Sequence, residues 1–288
     1  MYASPFQYHR AGSIAEARQL LAAHPGAKLL AGGHSLLPLM KLRLANPEAL
    51  IDIGSIAELK GITATQDGFR IGAATPHAAI AASSHLATGC AVVAETAGRI
   101  GDPAVRNRGT IGGSLAHADP GADLPGVLVA IGASIEVIGA AGTRTIAADD
   151  FFQGLMTTAL GEGDIVTAIR VRRLKKGEGA AYAKFPHPAS RYAVIGAAAC
   201  IAVEKGACTS GRVVVSGLLP RPTVLASVEK ALVGAKLDEA AIAAAGGRAG
   251  EDLGDDIIGD NFASAGYRRG VVSVYVARAV REAARRAG

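Results

Sequence analysis

Cysteine is scarce in this sequence: Cys90, Cys200 and Cys208 are the only three in 288 residues. They are too few and too scattered for a disulfide framework, a zinc site or an iron–sulfur cluster. Redox chemistry in this chain therefore has to use something other than cysteine-ligated metal. Long apolar runs are missing too. The longest, Ala193 to Val203, is about half of the ~20 residues a membrane-crossing helix needs, and Gly196 interrupts it. No membrane insertion is expected. The opening residues, Met1-Tyr2-Ala3-Ser4-Pro5-Phe6, have neither the basic nor the apolar region of a secretory signal, which sets the expectation of a cytoplasmic protein. Charge is sparse, at 19% of residues against 50% hydrophobic, and that balance excludes intrinsic disorder. A net charge of +5 and a pI near 9.2 favour contact with anions without amounting to a nucleic-acid-binding signature.

What the chain does have is glycine, 37 residues or about 13% against a usual ~7%, much of it gathered in two clusters. A length of 288 residues predicts roughly two domains of about 150 residues each. Ser13-Ile14-Ala15-Glu16 is a capping box, and Ile14, Ala17, Leu20 and Leu21 follow at helical spacing, predicting a helix from Ser13 to His24 that Pro25-Gly26 ends. Lys28 to Ala31 reads as a short buried strand, broken by Gly32-Gly33, after which Leu36, Leu39, Met40 and Arg43 share a helical face. Further strands are expected at Leu50–Ile53 and Phe69–Ala73, a helix from Thr75-Pro76 to about Ser84, and another over Ala91–Ile100. Arg106 to Gly113 reads as a glycine-rich loop, followed by a helix at Leu124–Ile131 and a strand at Ser134–Ile138.

The first domain closes near Val171, and Arg172 to Gly179 is the candidate linker. Beyond it, strands at Tyr182–Phe185, Ala193–Val203 and Arg212–Gly217 precede helical text at Thr223–Gly234, Asp238–Gly246 and Ser264–Arg286. That order indicates an α+β architecture. Arg278, Arg281, Arg285 and Arg286 share one helix face with Glu282 interleaved, which fits a solvated or subunit-facing helix end better than nucleic-acid binding.

The first glycine cluster, Leu29 to Leu37, places Gly32-Gly33 just after a strand, where the backbone turns tightly and its N–H groups can approach a phosphate with no Cβ in the way. Taken alone it reads first as a plain strand-to-helix turn, in which His34 could cap the turn, and the second cluster is what favours the phosphate reading. The second cluster, Arg106-Asn107-Arg108-Gly109-Thr110-Ile111-Gly112-Gly113-Ser114, adds paired glycines, hydroxyls and guanidinium groups, the makings of a second anion-binding loop. Asp123 follows, placed either to accept from ribose or ribityl hydroxyls or to cap the helix at Leu124. There is no Gly-X-Gly-X-X-Gly opening a helix and no Gly-X-X-X-X-Gly-Lys-Ser/Thr loop, so neither a Rossmann nor a P-loop site is present. Two separate loops would have to grip one diphosphate from two sides.

These residues, together with Ala118-Asp119-Pro120 through Asp123-Leu124-Pro125, Ile71-Gly72-Ala73, Phe151-Phe152 and Ala183-Lys184-Phe185, resemble the flavin-binding medium subunit of molybdenum hydroxylases, the family of carbon monoxide dehydrogenase and xanthine dehydrogenase. The resemblance runs in order along essentially the whole chain. It implies a two-subdomain FAD-binding domain like that of the vanillyl-alcohol oxidase (PCMH) type over residues 1–173, split near Ser55 into 1–55 and 56–173, and a C-terminal domain of a small sheet plus helices over 178–288. It also implies that Leu29, Leu30, Ala31, Gly32, Gly33, His34, Ser35 and Leu36 surround the pyrophosphate and ribose of FAD. Thr110, Ile111, Gly112, Gly113 and Ser114 would form the second pyrophosphate loop, with Asp123 a polar anchor and Ile100 and Val166 beside the cofactor. Lys184 and Tyr192 would approach the flavin ring from the second domain, although Lys184 on its own reads as a solvated cation and Tyr192 as ordinary core or interface. Asp102-Pro103 and Asp164-Ile165-Val166 depart from the family pattern, the first putting local loop shape in question.

The functional expectation that follows is an oxidoreductase subunit for electron transfer, with no catalytic side chain or metal ligand of its own. Partner subunits would carry the molybdenum-pterin cofactor (large subunit) and 2Fe-2S clusters (small subunit), as a dimer of heterotrimers, and NAD, a quinone or oxygen would accept the electrons. The substrate stays open among carbon monoxide, an aldehyde and an N-heterocycle. Two other classes compete: a free-standing flavin oxidoreductase, which needs a substrate pocket and base that the sequence does not display, and a non-catalytic module that has lost its nucleotide.

Overall fold

In the computed structural model, which describes residues 2–288, β1 (Gln7–Arg10) leads into α1 (Ile14–Ala23). Ser13 caps α1 by accepting from Glu16 N, while the Glu16 carboxylate takes Gly12 N at 2.7 Å. After β2 (Lys28–Leu30) comes α2 (Leu36–Lys41), which stops short of Arg43 because that residue turns left-handed at φ 59°. β3 (Ala49–Asp52) then inserts between β1 and β2, parallel to both. Parallel neighbours need crossover connections, and α1 and α2 supply them. A small core around Ala11, Ala17, Ile51, Ile56 and Leu59 closes this first unit.

The second unit begins with β4 (Ile62–Ala64) and β5 (Gly68–Gly72) and continues through a run of short helices: α3 (His77–Ala81), α4 (Ser84–Gly89), α5 (Ala91–Gly98), α6 (Pro103–Arg108), α7 (Ile111–His117) and α8 (Asp123–Ala130). The helix expected from Thr75-Pro76 to about Ser84 is α3, which ends at Ala81, and α4 is a further helix that the sequence reading did not include, capped by the Ser83 hydroxyl through Leu86 N. The expected loop at 106–113 is instead the junction of α6 and α7. Asp102-Pro103 explains the first half: Asp102 Oδ1 accepts from Val105 N at 2.8 Å, and proline occupies the first helical position, where its missing N–H costs nothing. Thr110 caps α7 in the same way.

β6 (Ser134–Gly139), β7 (Gly142–Ala147), α9 (Ala148–Phe151), the hairpin β8 (Phe152–Gly154) and β9 (Thr157–Thr158), and β10 (Ile165–Arg172) complete the unit. The antiparallel sheet order is β4-β5-β10-β6-β7. Asp164, the second departure from the family pattern, holds the Arg144 guanidinium at 2.5 Å and the Gly161 amide at 2.6 Å at the entry to β10.

The expected linker is a tight turn in which Glu178 takes Arg172 at 2.5 Å and Lys175 N at 2.7 Å. It feeds a four-stranded antiparallel sheet in chain order, β11 (Glu178–Pro186), β12 (Ala193–Glu204), β13 (Ala207–Ser216) and β14 (Thr223–Val224), followed by α10 (Ala226–Leu232), α11 (Glu239–Gly247) and α12 (Ala265–Ala287). β14 takes the first two residues of text that reads as helical. The apolar run at Ala193–Val203 is a strand covered on both faces: Ala198 and Cys200 face the core shared with α8, and Ala197, Ala199 and Ile201 face α12. Among the described residues no helix is long and apolar enough to cross a membrane.

α12 lies against β11 so closely that a Cβ on Gly179 would collide with the Ala283 carbonyl oxygen. Gly179→Ala is therefore expected to cost about 1–3 kcal/mol by overpacking, read as a lower urea midpoint for the C-terminal domain. An unchanged midpoint would contradict this packing.

Candidate functional site

The two glycine clusters meet. A Cβ on Gly32 would collide with the Arg108 carbonyl oxygen and stand 2.9 Å from Gly109 Cα, so the backbones touch only because Gly32 has no side chain. Gly33 follows at φ 79°, turning the chain from β2 toward α2. Through this turn no backbone N–H of residues 31–36 donates to a protein acceptor among the described residues; donation resumes with Leu37 N to Gly33 O at 3.0 Å. Six successive amides are thus left for something else, at residues that are half-buried except for exposed His34. Buried or half-buried backbone donors are nearly always paired, and a concave run of free amides is an anion-binding shape.

The second cluster differs from the first. Its amides are spent inside the protein: Ile111 N on Thr75 O at 3.2 Å, Gly112 N on Ala73 O at 2.8 Å, and Gly113 N on Thr110 Oγ1 at 3.2 Å. Gly112 is glycine because Ala73 packs where its Cβ would be. What remains facing outward is buried Thr110 at the wall of the site, exposed Gly113 and half-buried Ser114, whose hydroxyl makes no hydrogen bond among the described residues.

Between the first unit and the α6–α7 junction lies a cleft of about 350 Å³, with Ala31, Pro76 and Thr110 on its walls and Arg10, Lys60, Asn107 and Arg108 around it. Asp52 also lines it, its oxygens held by Tyr8 OH at 2.6 Å and Gly54 N at 2.8 Å, while Arg10 Nε donates to Ser55 Oγ at 3.2 Å. The cations come from β1, a turn and α6. Of them only Arg108 sat in a motif; Arg10 and Lys60 carried no local signal.

His77, the first residue of α3, lies just behind this junction. It is 4% exposed, its ring packs on Gly109, and burial, with His34 adding to it, pulls its imidazole down to about 4.

On the other side of the site, Asp123 is not the cap of α8; Ala122 holds that position. Asp123 is 4% exposed and accepts from Lys184 Nζ at 2.8 Å and Tyr182 OH at 2.6 Å, both on β11. Lys184, which reads as a solvated cation from sequence alone, has a 5% exposed side chain and also donates to Arg99 O at 3.3 Å. Burial pushes the Asp123 carboxyl up, and the ammonium and phenol pull against it. Tyr182 carried no signal in the sequence. Tyr192 is 42% exposed, packs on Gly121 and meets the Ser35 hydroxyl of the first loop. Burial, then the Asp119 charge, raise its phenol. Val166 belongs to the main core, pairing with Val137, and half-buried Ile100 packs against that core. Among the described residues no group of three or more His, Cys, Asp or Glu has the makeup of a metal site, and burial pushes the Cys90 thiol up to about 12.

Residues 4–172 match the family model described as the FAD binding domain in molybdopterin dehydrogenase, and residues 180–283 the CO dehydrogenase flavoprotein C-terminal domain. The chain is 38% identical to the carbon monoxide dehydrogenase medium chain of Afipia carboxidovorans, covering 100% of this chain and 99% of that one. It is 34% identical to the glyceraldehyde dehydrogenase medium chain of Sulfolobus acidocaldarius, covering 99% and 100%. Carbon monoxide dehydrogenase from Hydrogenophaga pseudoflava superimposes with a TM-score of 0.95 at 38% identity over 99% of each chain. Quinoline 2-oxidoreductase from Pseudomonas putida 86 gives 0.94 at 30% identity over 100% of this chain and 99% of that one.

Removing one partner of a buried ion pair strands the other. Lys184→Met is expected to cost about 3–5 kcal/mol, much of it regained when Asp123→Asn is added, measured by denaturant unfolding; full additivity of the two substitutions would contradict the pairing. His77 gives a pH signature. Its folded-state value near 4 lies below the ordinary 6.5, so the folded and unfolded chains are equally neutral above pH 6.5. As pH falls from 6.5 toward 4 the unfolded chain takes a proton that the folded one refuses, and about 3 kcal/mol of stability is lost. His77→Asn is expected to flatten that window of the stability profile, and an unchanged slope would count against it.

Proposed function

Because the chain belongs to the FAD-binding medium subunits of the molybdenum hydroxylase family, we propose that it is the electron-transfer subunit of such a complex, one like carbon monoxide dehydrogenase. In this reading it takes electrons from 2Fe-2S clusters of a small partner subunit and passes them to NAD, a quinone or oxygen. A large partner carries the molybdenum-pterin cofactor and oxidises the substrate, and the assembly is a cytoplasmic dimer of heterotrimers.

The observation that carries this reading is the uninterrupted row of free amides at 31–36, set where the two glycine clusters touch. It fits a diphosphate: the amides meet the oxygens, and Arg10, Lys60 and Arg108 around the adjoining cleft offset the negative charge. Leu29 and Leu30 deliver the loop from its strand, Gly32 and Gly33 give it its shape, and His34, Ser35 and Leu36 complete it. From the second cluster, Thr110 and Ser114 contribute hydroxyls, Gly113 open backbone, and Ile111 and Gly112 the packing that fixes α7. Ile100 and Val166 are apolar wall. Asp123, Lys184 and Tyr192 bring polar groups from the domain boundary to the flavin end. FAD, when bound, supplies redox chemistry that no side chain of this chain performs, and the residues hold it and set the charge around it. Lys184 meets it as half of an ion pair, so the charge it brings is largely compensated by Asp123.

The relatives named above act on different molecules at similar identity. The choice among carbon monoxide, an aldehyde and an N-heterocycle belongs to the subunit that binds the substrate.

Affinity purification of the chain from its native host is expected to recover a large and a small partner with FAD, iron and molybdenum. Recovery of the chain alone, yellow with FAD and turning over substrate unaided, would replace this reading with that of a free-standing oxidoreductase.

A further inference from the structure

We propose that His77 is a further cofactor-positioning residue, whose Nε2–H donates to a phosphate oxygen of the dinucleotide held by residues 31–36. The inference rests on the FAD reading above and adds a donor that neither the glycine clusters nor the cleft cations supply.

Three layers build the argument. Gly32 lies on Gly109, a Cβ there standing 2.9 Å from Gly109 Cα. Gly109 in turn lies on the His77 ring, its own missing Cβ position being 3.0 Å from Cδ2 and 3.3 Å from Nε2. The His77 amide fixes the arrangement by donating to Gly109 O at 2.9 Å. One glycine backbone therefore separates the imidazole from the loop with the free amides.

The ring is polar and unserved. Neither nitrogen has a hydrogen-bond partner among the described residues, in a side chain that is 4% exposed, and Nδ1 is sealed from solvent altogether. An apolar side chain would fill the same space without that cost. The sealing also decides the tautomer. An orphaned buried N–H is rarer than an under-used acceptor, so Nδ1 keeps its lone pair and the proton sits on Nε2, the nitrogen on the Gly109 side. A donor there has use for an anionic acceptor, and the site beside it is built for one. His34, from the same loop, lies near enough to add to the effect of burial on the ring. Arg106 of the adjoining α6 is turned away, onto the Ile100 and Gly101 carbonyls at 2.9 and 3.1 Å.

The test uses the full chain within its assembled complex, stripped of flavin and titrated with FAD and, separately, with ADP, which carries the diphosphate without the ring. His77→Ala is expected to weaken both by the same factor, about 10- to 100-fold, the worth of a hydrogen bond to a charged acceptor. His77→Gln, whose amide N–H reaches a similar place, is expected to recover most of that loss, while thermal melting of the stripped protein tracks packing separately. Affinities of His77→Ala within twofold of wild type overturn the proposal. So does a Gln variant that loses as much as Ala in proportion to its fall in melting temperature, which would make the residue structural. Wild-type protein that binds neither FAD nor ADP would sink the FAD reading itself, a distinguishable failure.

Discussion

The site depends on one constraint, the contact of the Gly32 backbone with the backbone of Arg108 and Gly109. A side chain at Gly109 would press on the His77 ring, and one at Gly32 would push β2 and the α6–α7 junction apart. With them apart, the loop at 31–36 would lose its support and the cleft at Ala31 and Thr110 its walls. The amides freed by the turn at Gly33 are costly only while nothing occupies them. A structure that leaves six such groups together and arranges cations beside them has its energetic logic in the bound state.

The second domain is tied to this site from the opposite side. Tyr182 and Lys184 reach from β11 to Asp123 on α8, and Tyr192 reaches from the start of β12 past Gly121 to Ser35. Ala193 N and Gly217 N add backbone bonds to Gly121 O and Pro120 O, at 2.9 and 2.7 Å. Because α8 shares its core with Ala198, Cys200 and Val214 of that domain, the two parts have one packed interior and little freedom to shift. The ion pair alters the electrostatic picture as well. A lone cation at Lys184 would favour an anionic reduced flavin, whereas a buried pair presents mostly a dipole, so under the proposed function any tuning would rest on the balance between Asp123 and Lys184.

Much of this was legible. The capping box at Ser13–Glu16, the strands at Lys28–Leu30 and Ala49–Asp52 and the long helix after Ser264 follow from local pattern, the α+β arrangement followed from the order of strands and helices, and the FAD-binding family followed from the composite motif. The junction at Arg106–Gly113 was misleading because glycine richness signals a loop, while Asp102 and Thr110 are caps that start helices on either side of Gly109. At Gly112 the fold itself requires glycine, because Ala73 packs where a Cβ would be. His77, Arg10, Lys60 and Tyr182 were illegible because what places them is tertiary. Each sits in an ordinary local context, and only the fold brings it to the site.

The central claim is that the amides of residues 31–36 are the cofactor's grip. Amide hydrogen exchange on the assembled complex, with and without FAD, tests it directly. Exchange at 31–36 should be fast in the stripped protein, where these groups have no acceptor, and slow sharply on FAD addition, while Ile111 and Gly112, already paired, change little. Protection that appears at 111–113 and leaves 31–36 unchanged would contradict the account.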